Sequence, residues 1–235
     1  MFSTLGSSML AELLGGCGFD WILLDTEHSP NDMPEVIAQL QAMSAFEVSP
    51  IVRPAWSDMV LVKRYLDAGA QTLLFPCIQS AAEAATAVGY TRYPPRGVRG
   101  VSGSTRAAAY GLNPDYLRSA EEELCVIVQI ETVEGLENLE AIAAVDGVDA
   151  VFIGPADLAA SMGHLGNGQH PIVQAAVDDA FRRLRAIEKP AGYLTLNESE
   201  AERRIADGVD FVGVATDTSI ITRAATALVK RMTKQ

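Results

Sequence analysis

The chain alternates short apolar runs with longer segments of helical period. The runs are Phe2–Leu5, Trp21–Leu24, Ile51–Val52, Thr72–Phe75, Val126–Ile130, Ala150–Ile153, Ala191–Leu196 and Phe211–Val214. Most are continuously apolar, the pattern of parallel strands buried on both faces. A helical period runs through Met33–Met43, Met59–Ala68, Ala81–Tyr90, Leu136–Val145, Val173–Ile187 and Glu198–Asp207, with a further helix from Pro114. Eight such strand–helix units predict an α/β fold, a single (β/α)8 TIM barrel over residues 1–235. No GxGxxG follows the first run, which argues against an open dinucleotide-binding sheet. Two irregularities are expected. A long Gly/Pro/Arg loop covers Tyr93–Gly111, and loops of that length tend to be functional. The first strand begins almost at residue 1, so no preceding helix is expected to plug the barrel floor.

The formal charge of −12 disfavours a nucleic-acid partner, which would call for a basic surface. It also means that an anionic substrate needs a local positive centre, a metal or a well-placed Arg. Cys17, Cys77 and Cys125 are scattered and form no CxxC pair, so neither a disulfide framework nor a thiolate metal site is expected, and a reducing, cytoplasmic setting is. Residues 1–20 carry no basic n-region, and no run of about 18 apolar residues predicts a membrane span.

In such barrels the chemistry sits at the C-terminal ends of the strands. The ionisable residues expected there are Asp25, Glu27 and His28 after the second run, Arg53 at the end of the third, Glu131 after the fifth and Asp157 after the sixth. Parallel strands lie about 4.8 Å apart, so Glu131 and Asp157 would repel unless protonated or bridged by a cation. Two carboxylates without a thiolate suit a hard ion that keeps its waters, Mg²⁺ or Mn²⁺, with Co²⁺ a further candidate. A general acid/base pair, or one carboxylate paired with an Arg, stands beside that reading. His28 reads as base, ligand or cap. Arg53, inside an apolar run, needs an anion: a developing oxyanion on the functional reading, Asp25 on the structural one. The arginines of Tyr93–Gly111 could cradle a phosphate or carboxylate, or simply build a lid. His164 and His170 read as loop residues. No strand carries a Lys, which disfavours imine chemistry.

Taken together, Phe19–His28, Val52-Arg-Pro, Arg92–Gly100, Val128-Gln-Ile-Glu131 and Phe152–Leu158 resemble the HpcH/HpaI aldolases, class II metal-dependent pyruvate aldolases of the 4-hydroxy-2-oxoheptanedioate and 2-dehydro-3-deoxyglucarate type. The resemblance implies reversible aldol cleavage of 4-hydroxy-2-oxo acids to pyruvate or hydroxypyruvate and an aldehyde. It implies Glu131 and Asp157 as metal ligands, His28 as base, Arg53 as oxyanion stabiliser, and Gln129 and the Ala156 backbone as oxo-acid contacts. Asp25 stands with the catalytic candidates. Asp67 matches an acid that raises the basicity of the His. Since Asp67 ends a helix, it should lie at the barrel bottom, away from its own His28, and a contact across a subunit boundary is expected. The resemblance further implies a homo-oligomer, a hexamer of dimers exchanging the last helix. An oxaloacetate-type decarboxylase and a citrate-lyase-β-like lyase remain alternatives on the same barrel, and a non-catalytic oxo-acid binder is disfavoured by the intact residue set.

Overall fold

A computed structural model describes residues 1–233. The strands are β1 (Phe2–Ser3), β2 (Trp21–Asp25), β3 (Ser49–Arg53), β4 (Thr72–Phe75), β5 (Cys125–Ile130), β6 (Ala150–Ile153), β7 (Ala191–Leu194) and β8 (Phe211–Gly213). They pair in parallel in chain order. The Phe2 N–H donates to the Ala215 carbonyl across 3.0 Å and brings the two ends of the sheet together, so the (β/α)8 barrel is as expected. The helices are α1 (Ser8–Gly15), α2 (Met33–Met43), α3 (Met59–Asp67), α4 (Ala81–Thr91), α5 (Tyr116–Ser119), α6 (Val133–Glu137), α7 (Leu139–Ala143), α8 (Pro155–Ser161), α9 (Pro171–Ala186), α10 (Glu198–Ala206) and α11 (Asp217–Thr233).

Most boundaries fall within a residue or two of the pattern. One expected helix, Leu136–Val145, is two: α6 and α7 break at Asn138, whose side-chain amide donates to the Gln79 carbonyl across 2.8 Å. The first run narrows to Phe2–Ser3 because the Thr4 and Leu5 N–H groups turn to the Asp217 carboxylate instead of a neighbouring strand.

The strands are mostly apolar because alternate residues serve two cores. Ile22, Leu24, Val52, Val126, Val128 and Ile130 face the helices. Leu23, Ile51, Leu74, Ile127 and Phe152 fill the barrel. The helices supply the matching stripe, as in α9, where Val173, Val177, Ala180, Phe181 and Leu184 are buried at helical spacing.

The floor needs no plugging helix. Phe2, Trp21, Phe152 and Phe211 form a ring of edge and tilted contacts with centroids 6.0–6.2 Å apart. Gly192 makes room for it, since a Cβ there would stand 2.2 Å from the Phe211 ring.

Candidate active site

The inward parity of the strands decides which polar residues meet. On β2 the barrel-facing positions are Trp21 and Leu23, so the next is Asp25. On β3 Ile51 leads to Arg53, and on β5 Ile127 leads to Gln129 and then Glu131. The aromatic plug fills the barrel below, and these groups form the layer above it, at the C-terminal mouth. The Arg53 guanidinium lies 5.3 Å over the Phe2 ring, which is the floor of the site.

Arg53 is buried and held by a fork: Nε donates to Oδ1 of Asp25 across 2.9 Å and Nη2 to Oδ2 across 2.8 Å. Nη1 also stands 3.0 Å from Oε2 of Glu27. The pairing with Asp25 expected on the structural reading is therefore present, and Nη1 is turned toward Glu27. Burial acts to lower its pKa, but Asp25, Glu27 and Glu131 outweigh burial and raise it, so the guanidinium stays charged.

The second strand does not continue past Asp25. Oδ1 of Asp25 accepts the Glu27 N–H across 3.0 Å and the His28 N–H across 3.4 Å, which folds the chain into a turn. Glu27 and His28 thereby share the mouth. Nε2 of His28 lies 3.8 Å from Oε2 of Glu27, and the imidazole is 63% exposed. Glu27 is expected at the mouth but without a role, and the turn that Asp25 caps is what sets it beside Arg53 and His28. Burial raises its pKa, opposed by Arg53 and His28 and reinforced by Asp25 and Asp157.

Glu131 is buried. Its Oε1 accepts the Cys77 N–H across 2.8 Å, and its Oε2 accepts from the Gln129 amide. Gly154 leaves the space, since a Cβ there would stand 2.7 Å from Oε2. Burial, reinforced by the carboxylates of Glu27 and Asp157, pushes the Glu131 pKa up to about 7 against the hydrogen bonds from Gln129 and Cys77. Asp157 and Ala156 lie exposed in the first turn of α8, on the rim of a cavity of about 500 Å³ also lined by Leu165, Gln169, Thr195 and Leu196.

Asp67 is placed elsewhere. It ends α3, five residues before β4 begins at the opposite end of the barrel, and accepts from Nη2 of Arg99 across 2.9 Å. Within one chain it is no part of the mouth. Arg92, at the end of α4, pairs with Asp146 and Glu121, and the arginines of the long loop are also engaged internally, Arg96 with Glu121, Arg99 with Asp67, and Arg106 with the Ala68 carbonyl. This loop is thus a built structure, in which Nε and Nη1 of Arg99 alone are buried without a hydrogen-bond partner among its arginines. His164 and His170 are loop residues as expected, their rings stacked 3.7 Å apart. Lys63 lies within α3, and Lys189 donates to the Val148 carbonyl ahead of β7, so neither can form an imine at the mouth.

The mouth therefore holds Asp25, Glu27, Glu131 and Asp157 against one guanidinium. Such a site repels an anionic substrate unless a cation enters with it. Oε1 of Gln129 is buried without a hydrogen-bond partner, so a polar atom stands ready for a ligand. Among the described residues no three His, Cys, Asp or Glu side chains converge as a metal cage. A two-carboxylate site suits a hard ion that retains water. Fold and mouth together define a (β/α)8 barrel with an acidic site at the C-terminal ends of its strands, and the relatives below make it a carbon–carbon lyase of the aldolase type.

The chain belongs to the HpcH/HpaI aldolase/citrate lyase family, whose model matches residues 1–224. It is 54% identical over 230 residues to the 4-hydroxy-2-oxo-heptane-1,7-dioate aldolase of Klebsiella pneumoniae, covering 97% of this chain and 87% of that one. It is 54% identical over 227 residues to the pyruvate aldolase of Rhizobium etli, covering 97% and 89%. The crystal structure of an HpcH/HpaI aldolase/citrate lyase family protein from Burkholderia cenocepacia superposes with a TM-score of 0.95 at 41% identity, over 99% of this chain and 94% of that one.

Proposed function

We propose that the protein is a class II aldolase that reversibly cleaves 4-hydroxy-2-oxo acids to pyruvate or hydroxypyruvate and an aldehyde. The observation that carries this reading is the charge of the mouth: four carboxylates face one guanidinium that is already paired with Asp25. A divalent cation that enters with the oxo acid offsets this negative charge. Members of this family generally depend on such an ion, and Glu131 and Asp157 would hold it, with Mg²⁺ or Mn²⁺ the ions their oxygens suit and Co²⁺ a further candidate. When bound, the cation supplies Lewis acidity toward negative charge developing on the 2-oxo oxygen.

The residues of the chain do the rest. Gln129 and the Ala156 backbone orient the oxo acid. The Arg53 N–H groups that Asp25 leaves free stabilise the oxyanion, and Asp25 holds the guanidinium in place. His28 accepts the C4 hydroxyl proton in cleavage, and Glu27 lies beside it to stabilise the resulting imidazolium. The C3–C4 bond breaks, its electron pair remaining on the oxo-acid fragment as the enolate, and the aldehyde leaves. The names of the relatives support this substrate class.

In the expected hexamer, dimers exchange α11. Support comes from that helix, of which only Asp217 is buried while Ile220, Ile221, Leu228, Val229 and Met232 are exposed. Contact between Asp67 and His28 of different subunits belongs to the same reading. Free Cys17, Cys77 and Cys125 support a cytoplasmic setting. No helix among the described residues is long and apolar enough to cross a membrane.

The test is to strip the protein with chelator and incubate it with pyruvate or hydroxypyruvate and a short aldehyde, with and without Mg²⁺ or Mn²⁺. A hydroxy-oxo acid formed only with metal is the expected result. Product that is indifferent to stripping would overturn the metal reading. Loss of oxaloacetate without any aldol product would favour the decarboxylase.

A further inference from the structure

The cavity beside Asp157 is bounded on one side by Tyr193–Leu196 at the end of β7 and on the other by Leu165, Gly166, Gly168 and Gln169 of the loop between α8 and α9. At about 500 Å³ it has room for more than a three-carbon oxo acid, and Ala160, Leu165, Leu194 and Leu196 make much of its lining apolar.

Behind its wall stands a carboxylate with an unusual set of partners. Glu200 occupies the third position of α10, whose N-cap is Asn197. There a Glu ordinarily reaches back to the N-cap N–H in a capping box. Here the Asn197 N–H goes to Oγ1 of Thr195 across 3.2 Å, and Glu200 turns inward. Its Oε2 accepts from Oγ1 of Thr195 across 2.6 Å and from Nε2 of Gln169 across 2.7 Å. Its Oε1 accepts from the Tyr193 hydroxyl across 3.0 Å. The nearest cations stand outside hydrogen-bond reach, with Nη2 of Arg204 at 3.7 Å and Nη2 of Arg203 at 4.0 Å. A carboxylate 6% exposed and held by neutral donors costs folding energy that a plain helix cap would not. It gains a tie between the two walls of the cavity, one on β7 and one on a loop whose Gly163 and Gly166 adopt positive φ.

We propose that Glu200 is a positioning residue for the acceptor half of the reaction: by holding Thr195 and Gln169 together it sets the width of the cavity beside Asp157, where the carbon chain of the aldehyde lies. The proposal rests on the aldolase reading above. Glu200→Gln keeps the shape of the side chain but replaces one acceptor oxygen with a donor, so one wall is released. Gln169→Ala cuts one arm of the tie at an exposed residue and leaves the buried carboxylate in place.

The metal-loaded protein and both variants are compared in two assays. One follows exchange of the C3 protons of pyruvate into deuterated water, which needs only the donor half. The other measures kcat and KM for propanal in the addition direction. The expected result is an aldehyde KM raised roughly tenfold in Glu200→Gln and about threefold in Gln169→Ala, in line with loss of charge-assisted hydrogen bonds, with pyruvate exchange within about twofold of wild type. The double variant should be no worse than Glu200→Gln alone, since both cut the same tie. An unchanged aldehyde KM in Gln169→Ala, or a parallel fall of exchange and addition in Glu200→Gln, overturns the proposal. If Glu200→Gln does not fold, Gln169→Ala decides alone. Absence of exchange in the metal-loaded wild type would instead overturn the enolate reading, and this proposal with it.

Discussion

Cys77 donates its backbone N–H to Oε1 of Glu131 across 2.8 Å, and it does so from a left-handed backbone with φ of 54°. A residue other than Gly rarely adopts that conformation, and holding it there costs on the order of 1 kcal/mol or more. The bond fixes one oxygen of a buried carboxylate, Gln129 engages the other, and Gly154 leaves the space between them. The orientation of Glu131 is thus set before any ligand arrives.

The thiol itself is not required by this geometry. Cys77→Gly keeps the N–H and removes the strain, so it should retain kcat/KM within about threefold of wild type with an unchanged or slightly raised Tm. Cys77→Val places a β-branched residue at a positive φ and should lower stability by about 1–2 kcal/mol. Thermal denaturation and steady-state kinetics of the two variants check this. A large activity loss in Cys77→Gly with a normal Tm would mean that the sulfur takes part.

Burial and neighbouring carboxylates raise Glu131 to about 7, and a stability consequence follows. The folded, metal-free protein keeps a proton on Glu131 that the unfolded chain releases near pH 4.5. Unfolding therefore releases a proton between pH 4.5 and about 7, and this contribution falls as pH rises through that window. The loss approaches about 3 kcal/mol at most and is complete above the folded pKa. Urea midpoints of stripped protein at pH 5.5 and 7.5 should differ in that direction. Glu131→Gln should flatten the difference, and a metal-free protein that grows more stable across the window would contradict it.

Arg53 is the single buried cation of the mouth, and it answers two carboxylates. Arg53→Ala leaves Asp25 buried without its partner, a change worth about 3–5 kcal/mol of stability, and so its activity cannot be read alone. Arg53→Lys keeps the charge but loses the fork to Asp25. It should retain a cooperative fold while turnover falls roughly 10²-fold, the scale of losing an oxyanion donor. A kcat within a few-fold of wild type in Arg53→Lys would reduce Arg53 to a structural partner of Asp25.

Much of this site could be read from the strand parity. Continuous apolar runs announced parallel strands, and within them Asp25, Arg53, Gln129 and Glu131 fell on barrel-facing positions that also carry Leu23, Ile51 and Ile127. Glu27 and His28 follow the last residue of β2, where strand alternation stops applying. An extended continuation would have separated them, whereas the turn capped by Asp25 brings them together. The Cys77 bond and the Glu200 tie were hidden for another reason. Each depends on a local departure, a positive φ in one case and a capping box given up in the other, and no periodicity records it. The aromatic floor was likewise missed because Phe2, Trp21, Phe152 and Phe211 come from four separate strands.

Asp67 provides the sharpest test of assembly. Within its own chain it stands at the opposite end of the barrel from the mouth and partners Arg99, a fully buried guanidinium stacked 4.6 Å from the Tyr93 ring. Asp67→Asn should cost about 1–3 kcal/mol through that pair alone, since it leaves a buried cation short of its carboxylate. If Asp67 also serves His28 of another subunit, a second effect appears: the acidic limb of the kcat/KM profile should shift in Asp67→Asn, because the basicity of His28 changes. Mixing then separates the two roles. Subunits carrying Asp67→Asn and subunits carrying His28→Ala, each poorly active alone, should regain activity when unfolded and reassembled together, because some hybrid mouths receive a wild-type Asp67 and a wild-type His28 from different chains. Activity that remains the plain sum of the two would confine Asp67 to its pair with Arg99.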